Sequence, residues 1–278
     1  MSDHLCCYRT LFTGLLVMCA GCGGSGSGPT APTGPLAITG ETLLTQPAET
    51  SQLKATASGG DVTDQATWSS SNNGAVTVTS SGVVKASAAG SSDVTASYRG
   101  TTATAHVIVA SREDCSGYDP STIQIIADSG RDGLPAFALV APFGSGVFEF
   151  IATFATSDDG QRALAMAQRY RQDCFIGRGN RRADRDAYVT PYWQTSSGRQ
   201  TTIDGEDCDV YNPASLSIAN RGSEGWAVAG GTAVFGLLDT EADAGRLLAV
   251  MRRFANQCFV GRRNTRATPR DFMTVYYR

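Results

Sequence analysis

Two stretches of this chain carry side chains spaced for recognition chemistry. They are Cys174-Phe175-Ile176-Gly177-Arg178-Gly179-Asn180-Arg181-Arg182 and Cys258-Phe259-Val260-Gly261-Arg262-Arg263-Asn264-Thr265-Arg266. In each, a glycine permits a tight bend, and arginine and asparagine follow it. Guanidinium presents a planar fork of donors, so Arg178, Asn180 and Arg182, or Arg262, Asn264 and Arg266, form a candidate clamp for a carboxylate or phosphate. A cell-wall glycan, a peptidoglycan stem or an anionic lipid would supply such a group. The other reading is internal: Arg178 and Arg262 tie the loop to a helix or strand through Asp or backbone carbonyls, while the asparagine caps the turn. Both copies carry the pattern, so a need of the fold is the simpler explanation.

Other chemistries find less support. The chain has two histidines, His4 and His106, too few for a His-dependent triad or most metal hydrolase sites. It carries no G-x-S-x-G, H-E-x-x-H, P-loop or dinucleotide fingerprint. A carboxylate-only hydrolase needs two acids converging in a cleft. The adjacent pairs Asp158/Asp159 and Glu206/Asp207 are better explained by a helix start and a solvated link. The chain therefore reads as a non-enzyme without cofactor, with a carboxylate-dependent hydrolase as the remote alternative. A net charge of −3 gives no electrostatic footprint for nucleic acid. Lys54 and Lys85 are the only lysines; the C-terminal half uses arginine alone, offset by Asp and Glu, which suits internal ion pairing.

Cys115, Cys174, Cys208 and Cys258 lack paired C-x-x-C spacing, which argues against a shared zinc. As disulfides they allow three pairings, and the duplication favours Cys115–Cys174 and Cys208–Cys258. Each bridge would contribute roughly 2–4 kcal/mol and would fit an oxidising compartment.

The elements that must position these residues are themselves duplicated. Cys115-Ser116-Gly117-Tyr118-Asp119-Pro120 pairs with Cys208-Asp209-Val210-Tyr211-Asn212-Pro213, and the register from Thr156/Thr240 onward holds to Tyr192/Tyr276. Repeat 1 covers 115–193, a polar link 194–207, and repeat 2 covers 208–278. Each repeat reads β-β-β-α-β-β, an antiparallel sheet packed on one helix. Thr156-Ser157-Asp158-Asp159 and Thr240-Glu241-Ala242-Asp243 are helix starts: the Thr hydroxyl accepts from a free N–H, and the carboxylates complement the dipole. Leu164, Ala167, Tyr170, Cys174 and Leu248, Met251, Phe254, Cys258 continue three or four apart as one buried stripe. Tyr188, Tyr192, Trp193, Phe272, Tyr276 and Tyr277 make an aromatic series on the last strands, half core by alternation, the other face a possible sugar-stacking platform.

Upstream, Thr10–Ala20 is an apolar run too short to span a bilayer and of signal-peptide length. Cys19-Ala20-Gly21-Cys22 resembles the bacterial lipobox, with Cys19 where leucine is usual. That resemblance implies a lipoprotein signal peptide over 1–21, lipidation of Cys22 and membrane attachment through the lipid. Gly23 after the cysteine implies sorting to the outer membrane. Residues 22–35 are a Gly/Ser/Pro tether. Residues 36–110 alternate short Thr/Val-rich runs with Gly and Asn turns, the pattern of a β-sandwich. Ala66-Thr67-Trp68-Ser69-Ser70, Ser81-Gly82-Val83-Val84 and Ala89-Gly90 resemble the bacterial Ig-like group 2 domain, which implies a spacer or adhesion module with Trp68 in its core. The repeats resemble no named family. In outline their T-x-x-D helix start is similar to peptidoglycan-binding SPOR-type domains, to which the Cys-Phe-Ile-Gly-Arg signature is foreign. The expectation is multidomain: an all-β Ig-like sandwich, then two tandem α+β repeats. The protein would be exported to the cell envelope and lipid-anchored, its repeats presented for protein interaction or adhesion, or alternatively for glycan or anionic-ligand binding.

Overall fold

A computed structural model describes residues 35–129, 135–142, 148–154, 156–177, 190–194, 207–260 and 274–277. Among them the chain is mostly β-strand, with two α-helices, compatible with an all-β, Ig-like class.

The first ten strands are β1 Leu36–Thr39, β2 Leu43–Leu44, β3 Thr50–Gln52, β4 Lys54–Ala57, β5 Gly60–Asp61, β6 Thr67–Ser70, β7 Val76–Val78, β8 Val83–Ala86, β9 Gly90–Tyr98 and β10 Thr101–Val109. They form sheets ordered β1-β4-β5, β2-β10-β9-β6 and β3-β8-β7. Between β3 and β4 the strand breaks at Leu53. That residue is fully buried, and its N–H bonds to Gly82 O rather than to a ladder partner. Gly82 has φ +78°, and a Cβ there would sit 2.6 Å from Leu53 O, so the glycine of the G-V-V turn is required. Trp68 is only partly buried. It packs between two apolar clusters, one around Leu53 and Val84 and one around Ala55 and Tyr98, and its indole N–H donates to Thr63 O at 3.0 Å.

The remaining elements form two runs of the same order. The first is β11 Asp114–Gly117, β12 Gln124–Ser129, β13 Pro135–Pro142, β14 Phe148–Phe154, α1 Ser157–Ala167, β15 Gln172–Ile176 and β16 Thr190–Gln194. The second is β17 Asp207–Val210, β18 Ser217–Asn220, β19 Trp226–Gly230, β20 Ala233–Leu238, α2 Glu241–Met251, β21 Asn256–Val260 and β22 Thr274–Tyr277. Each run contributes two three-stranded antiparallel sheets, β12-β13-β14 with β11-β15-β16, and β18-β19-β20 with β17-β21-β22. The central strands slip register at matching places, Leu139/Val140 and Val228/Ala229, where one extra residue makes a bulge.

Three expectations need correction. The first cysteine of each run lies on a strand, so the order is β-β-β-β-α-β-β. The helices end at Ala167 and Met251, so the apolar stripe leaves the helix before Tyr170 and Phe254, and Cys174 and Cys258 sit on strands. The chain does not close each core within its own run. Cys174 and Ile176 of β15 pack with Leu247, Leu248 and Met251 on and around α2, whereas Cys258 of β21 packs with Ala163, Met166 and Tyr170 on and after α1. Strands β16 and β22 are in contact. A three-stranded sheet with one helix leaves an apolar face uncovered, and exchanging the cysteine strands covers both faces at once.

Candidate functional site

The two predicted bridges are present. Cys115 stands directly opposite Cys174 in register, and Cys208 opposite Cys258, with Cα atoms 4.1 Å apart in each pair. Cys174 and Cys258 are buried, while Cys115 is exposed. Cys22, Arg178, Asn180, Arg182, Arg262, Asn264 and Arg266 lie outside the described residues, as do Tyr188 and Phe272. The structure reaches the first arginine stretch at Gly177, whose φ of +105° requires glycine. Tyr192 is the register partner of Cys174, and Tyr276 of Cys258.

The acidic residues at the helix starts are held in caps. Thr156 Oγ1 accepts from the Asp159 N–H at 3.2 Å and donates to Asp159 Oδ2 at 2.8 Å; Thr240 and Asp243 repeat this at 3.1 and 2.6 Å. This is a side-chain N-cap in which the third-position Asp holds the threonine hydroxyl in place. Asp159 also accepts from Arg162 at 3.0 Å. Glu206 lies outside the described residues, and Asp207 opens β17.

At the opposite helix ends, two tyrosines noted only as repeat markers have a clear role. Tyr118 Oη donates to Ala167 O at 2.6 Å and Tyr211 Oη to Met251 O at 3.0 Å, each a second donor to a last-turn carbonyl that also accepts a backbone N–H, from Tyr170 and Phe254. Burial pushes the Tyr211 hydroxyl well above the ordinary phenol range. Asp119 and Asn212, the next residues, both make turns: Asp119 Oδ1 accepts from the Ser121 N–H and Asn212 Oδ1 from the Ala214 N–H. The bonds from the Ser121 N–H and hydroxyl hold the Asp119 carboxyl below its usual value.

Among the described residues, the most elaborate polar arrangement joins the N-terminal sheets to α2, around the boundary between residues 36–110 and the first repeat. Ala110 is buried, and the Ser111 N–H donates to Ala242 O at 2.9 Å. Gly245 lets the helix approach β10: a Cβ there would lie 2.9 Å from Ile108 Cγ2 and 3.3 Å from Leu43 Cδ1. One residue on, Arg246 is only 12% exposed. It donates to Ser111 O and Thr45 O and pairs with Glu113 at 3.4 Å. Glu113 also accepts from Arg253 at 2.9 Å. On the same junction, His106 of β10 lies between Asp93 of β9, 2.6 Å from Nδ1, and Glu241 of α2, 2.9 Å from Nε2. These contacts have little sequence signature, because the partners lie 133 to 201 positions apart for Arg246 and 135 for the His106–Glu241 pair.

Among the described residues no group of His, Cys, Asp and Glu could hold a metal ion. An open polar cleft of about 220 Å³ beside Lys54, Asp61 and Asp64 is smaller than the space a small-molecule ligand ordinarily fills. No helix among the described residues is long and apolar enough to cross a membrane. The sequence matches no protein-family model and no curated protein.

Proposed function

We infer that this is a lipid-anchored cell-envelope protein. Cys22 carries the anchor, an Ig-like sandwich over 36–110 stands as the spacer, and two tandem α+β repeats, tied by disulfides, form the presented module. The module serves protein interaction or adhesion at the envelope.

The observation that supports this reading best is the seating of α2 on the N-terminal sheets. Partly buried Arg246 bonds back to Thr45, Ser111 and Glu113, and Gly245 permits close contact with Ile108. A spacer joined by a free linker would leave its cargo to tumble; one bonded to a cargo helix sets the direction in which the cargo faces. The disulfides add a second support, since such bridges persist in oxidising, exported compartments.

Metabolic palmitate labelling tests the anchor on which the reading depends. The wild-type chain should incorporate label into the membrane fraction and a Cys22→Ser chain should not. Labelling that survives Cys22→Ser overturns the assignment.

A further inference from the structure

We propose that His106 is a pH-operated latch between the N-terminal sheets and α2, closed when the imidazole carries two protons and released when it loses one. The ring has a carboxylate on each nitrogen: Asp93 at 2.6 Å on Nδ1 and Glu241 at 2.9 Å on Nε2. A carboxylate accepts and does not donate. Only the imidazolium, with an N–H at both positions, can satisfy the two contacts together. The neutral ring has one N–H, so it holds one acid while its free lone pair faces the other.

The two acids belong to different parts of the fold. Asp93 is the cross-strand register partner of His106, within the N-terminal sheets. Glu241 is the first residue of α2, and its side chain is 15% exposed against 58% for Asp93. Proton loss therefore weakens a contact between parts. Asp93 from β9 and Glu241 from α2 are the titratable groups against the ring; Glu113, Arg246 and Arg253 meet at the same junction through separate bonds. Desolvation alone would lower the His106 pKa, but the hydrogen bonds and charges of Asp93 and Glu241 outweigh it and raise it above 6.5. A raised folded pKa means that the stabilisation is fully present below the unfolded value and is lost as pH rises through the folded one. The latch is closed in mild acid and opens toward alkaline pH.

The Ser111 N–H, bonded to Ala242 O one residue along α2 from Glu241, reports the latch. The experiment uses the full chain: histidine ring NMR for the His106 midpoint, and hydrogen-exchange protection of Ser111, corrected for intrinsic exchange, across pH 5 to 9. The expected midpoint lies above 6.5, and Ser111 protection should fall about two- to fivefold through it, the size of a solvent-screened ion pair. Glu241→Gln should lower the midpoint and flatten the step while leaving the Asp93 contact; His106→Gln should abolish the step. A midpoint at or below 6.5, protection that is flat through the wild-type midpoint, or a step persisting in Glu241→Gln overturns the proposal. The wild-type and Glu241→Gln profiles decide the matter should His106→Gln not fold.

Discussion

Truncating Arg246 to alanine should cost far more than truncating Arg162, although the two residues occupy the same position in the duplicated helices. Arg246 is 12% exposed and donates to Ser111 O and Thr45 O besides pairing with Glu113. Hydrogen bonds from a charged donor contribute about 1.5–3 kcal/mol each. They are not additive, and water would reach part of the vacated space. A loss of about 3 kcal/mol is the resulting expectation for Arg246→Ala. Arg162 is 40% exposed and makes a pair at 3.0 Å with Asp159, three residues earlier on its own helix. Such a pair is worth roughly 0.3–0.5 kcal/mol. Urea unfolding of the full chain, followed by tryptophan fluorescence, measures both variants under one condition. In thermal unfolding the Arg246→Ala midpoint should drop by about 6–12 °C, at roughly 2–4 °C per kcal/mol. Arg246→Lys keeps the charge but loses the fork, and should recover less than half of the loss. Should Arg246→Ala and Arg162→Ala fall within about 1 kcal/mol of each other, the junction is no stronger than an exposed ion pair and the seated-spacer argument fails.

Gly245→Ala should destabilise by about 1–2 kcal/mol, because the new Cβ meets Ile108 at 2.9 Å and the overpacking exceeds the gain in helix propensity. Gly160→Ala in α1 places its Cβ 3.4 Å from Ile125 and Phe137, an ordinary contact, and should be neutral or stabilising. The same unfolding assay separates them, and equal effects would remove the glycine from the docking account. Replacing Cys115 and Cys174 by alanine should cost roughly 2–4 kcal/mol. Because Cys174 packs on α2, amide exchange at Leu247 and Leu248 should rise as well. Loosening confined to α1 would show that the cores are not exchanged.

Much of the framework was legible because local rules were enough. Alternation placed several strands of the N-terminal sheets, and T-x-x-D placed both helix starts to the residue, since an N-cap is a contact within four positions. The bridges followed from one pair falling in each copy. The fourth strand escaped because Asp114-Cys115-Ser116-Gly117 has no β-branched residue; its pairing comes from the opposing strand and the disulfide rather than from propensity. Exchange of the cysteine strands escaped for a different reason. Periodicity tells which face of an element is apolar but not which element covers it, and within a duplicated chain either helix offers a similar surface.

The junction carries that ambiguity to single residues. Both helices open with the same Thr and third-position Asp, and Arg162 aligns with Arg246, so the cap, charge and dipole do not distinguish them. The neighbour does: Gly245 stands where α1 has Gln161. With no Cβ, Gly245 brings the α2 backbone close enough for Arg246 to reach the carbonyls of Thr45 and Ser111. A glutamine there would have to occupy the space of Ile108 and Leu43, holding the helix off and leaving the guanidinium to its own turn, as Arg162 is left to Asp159. One missing side chain thus selects which of two similar helices meets the N-terminal sheets. Glu241 then lies within reach of His106 as a consequence of that docking.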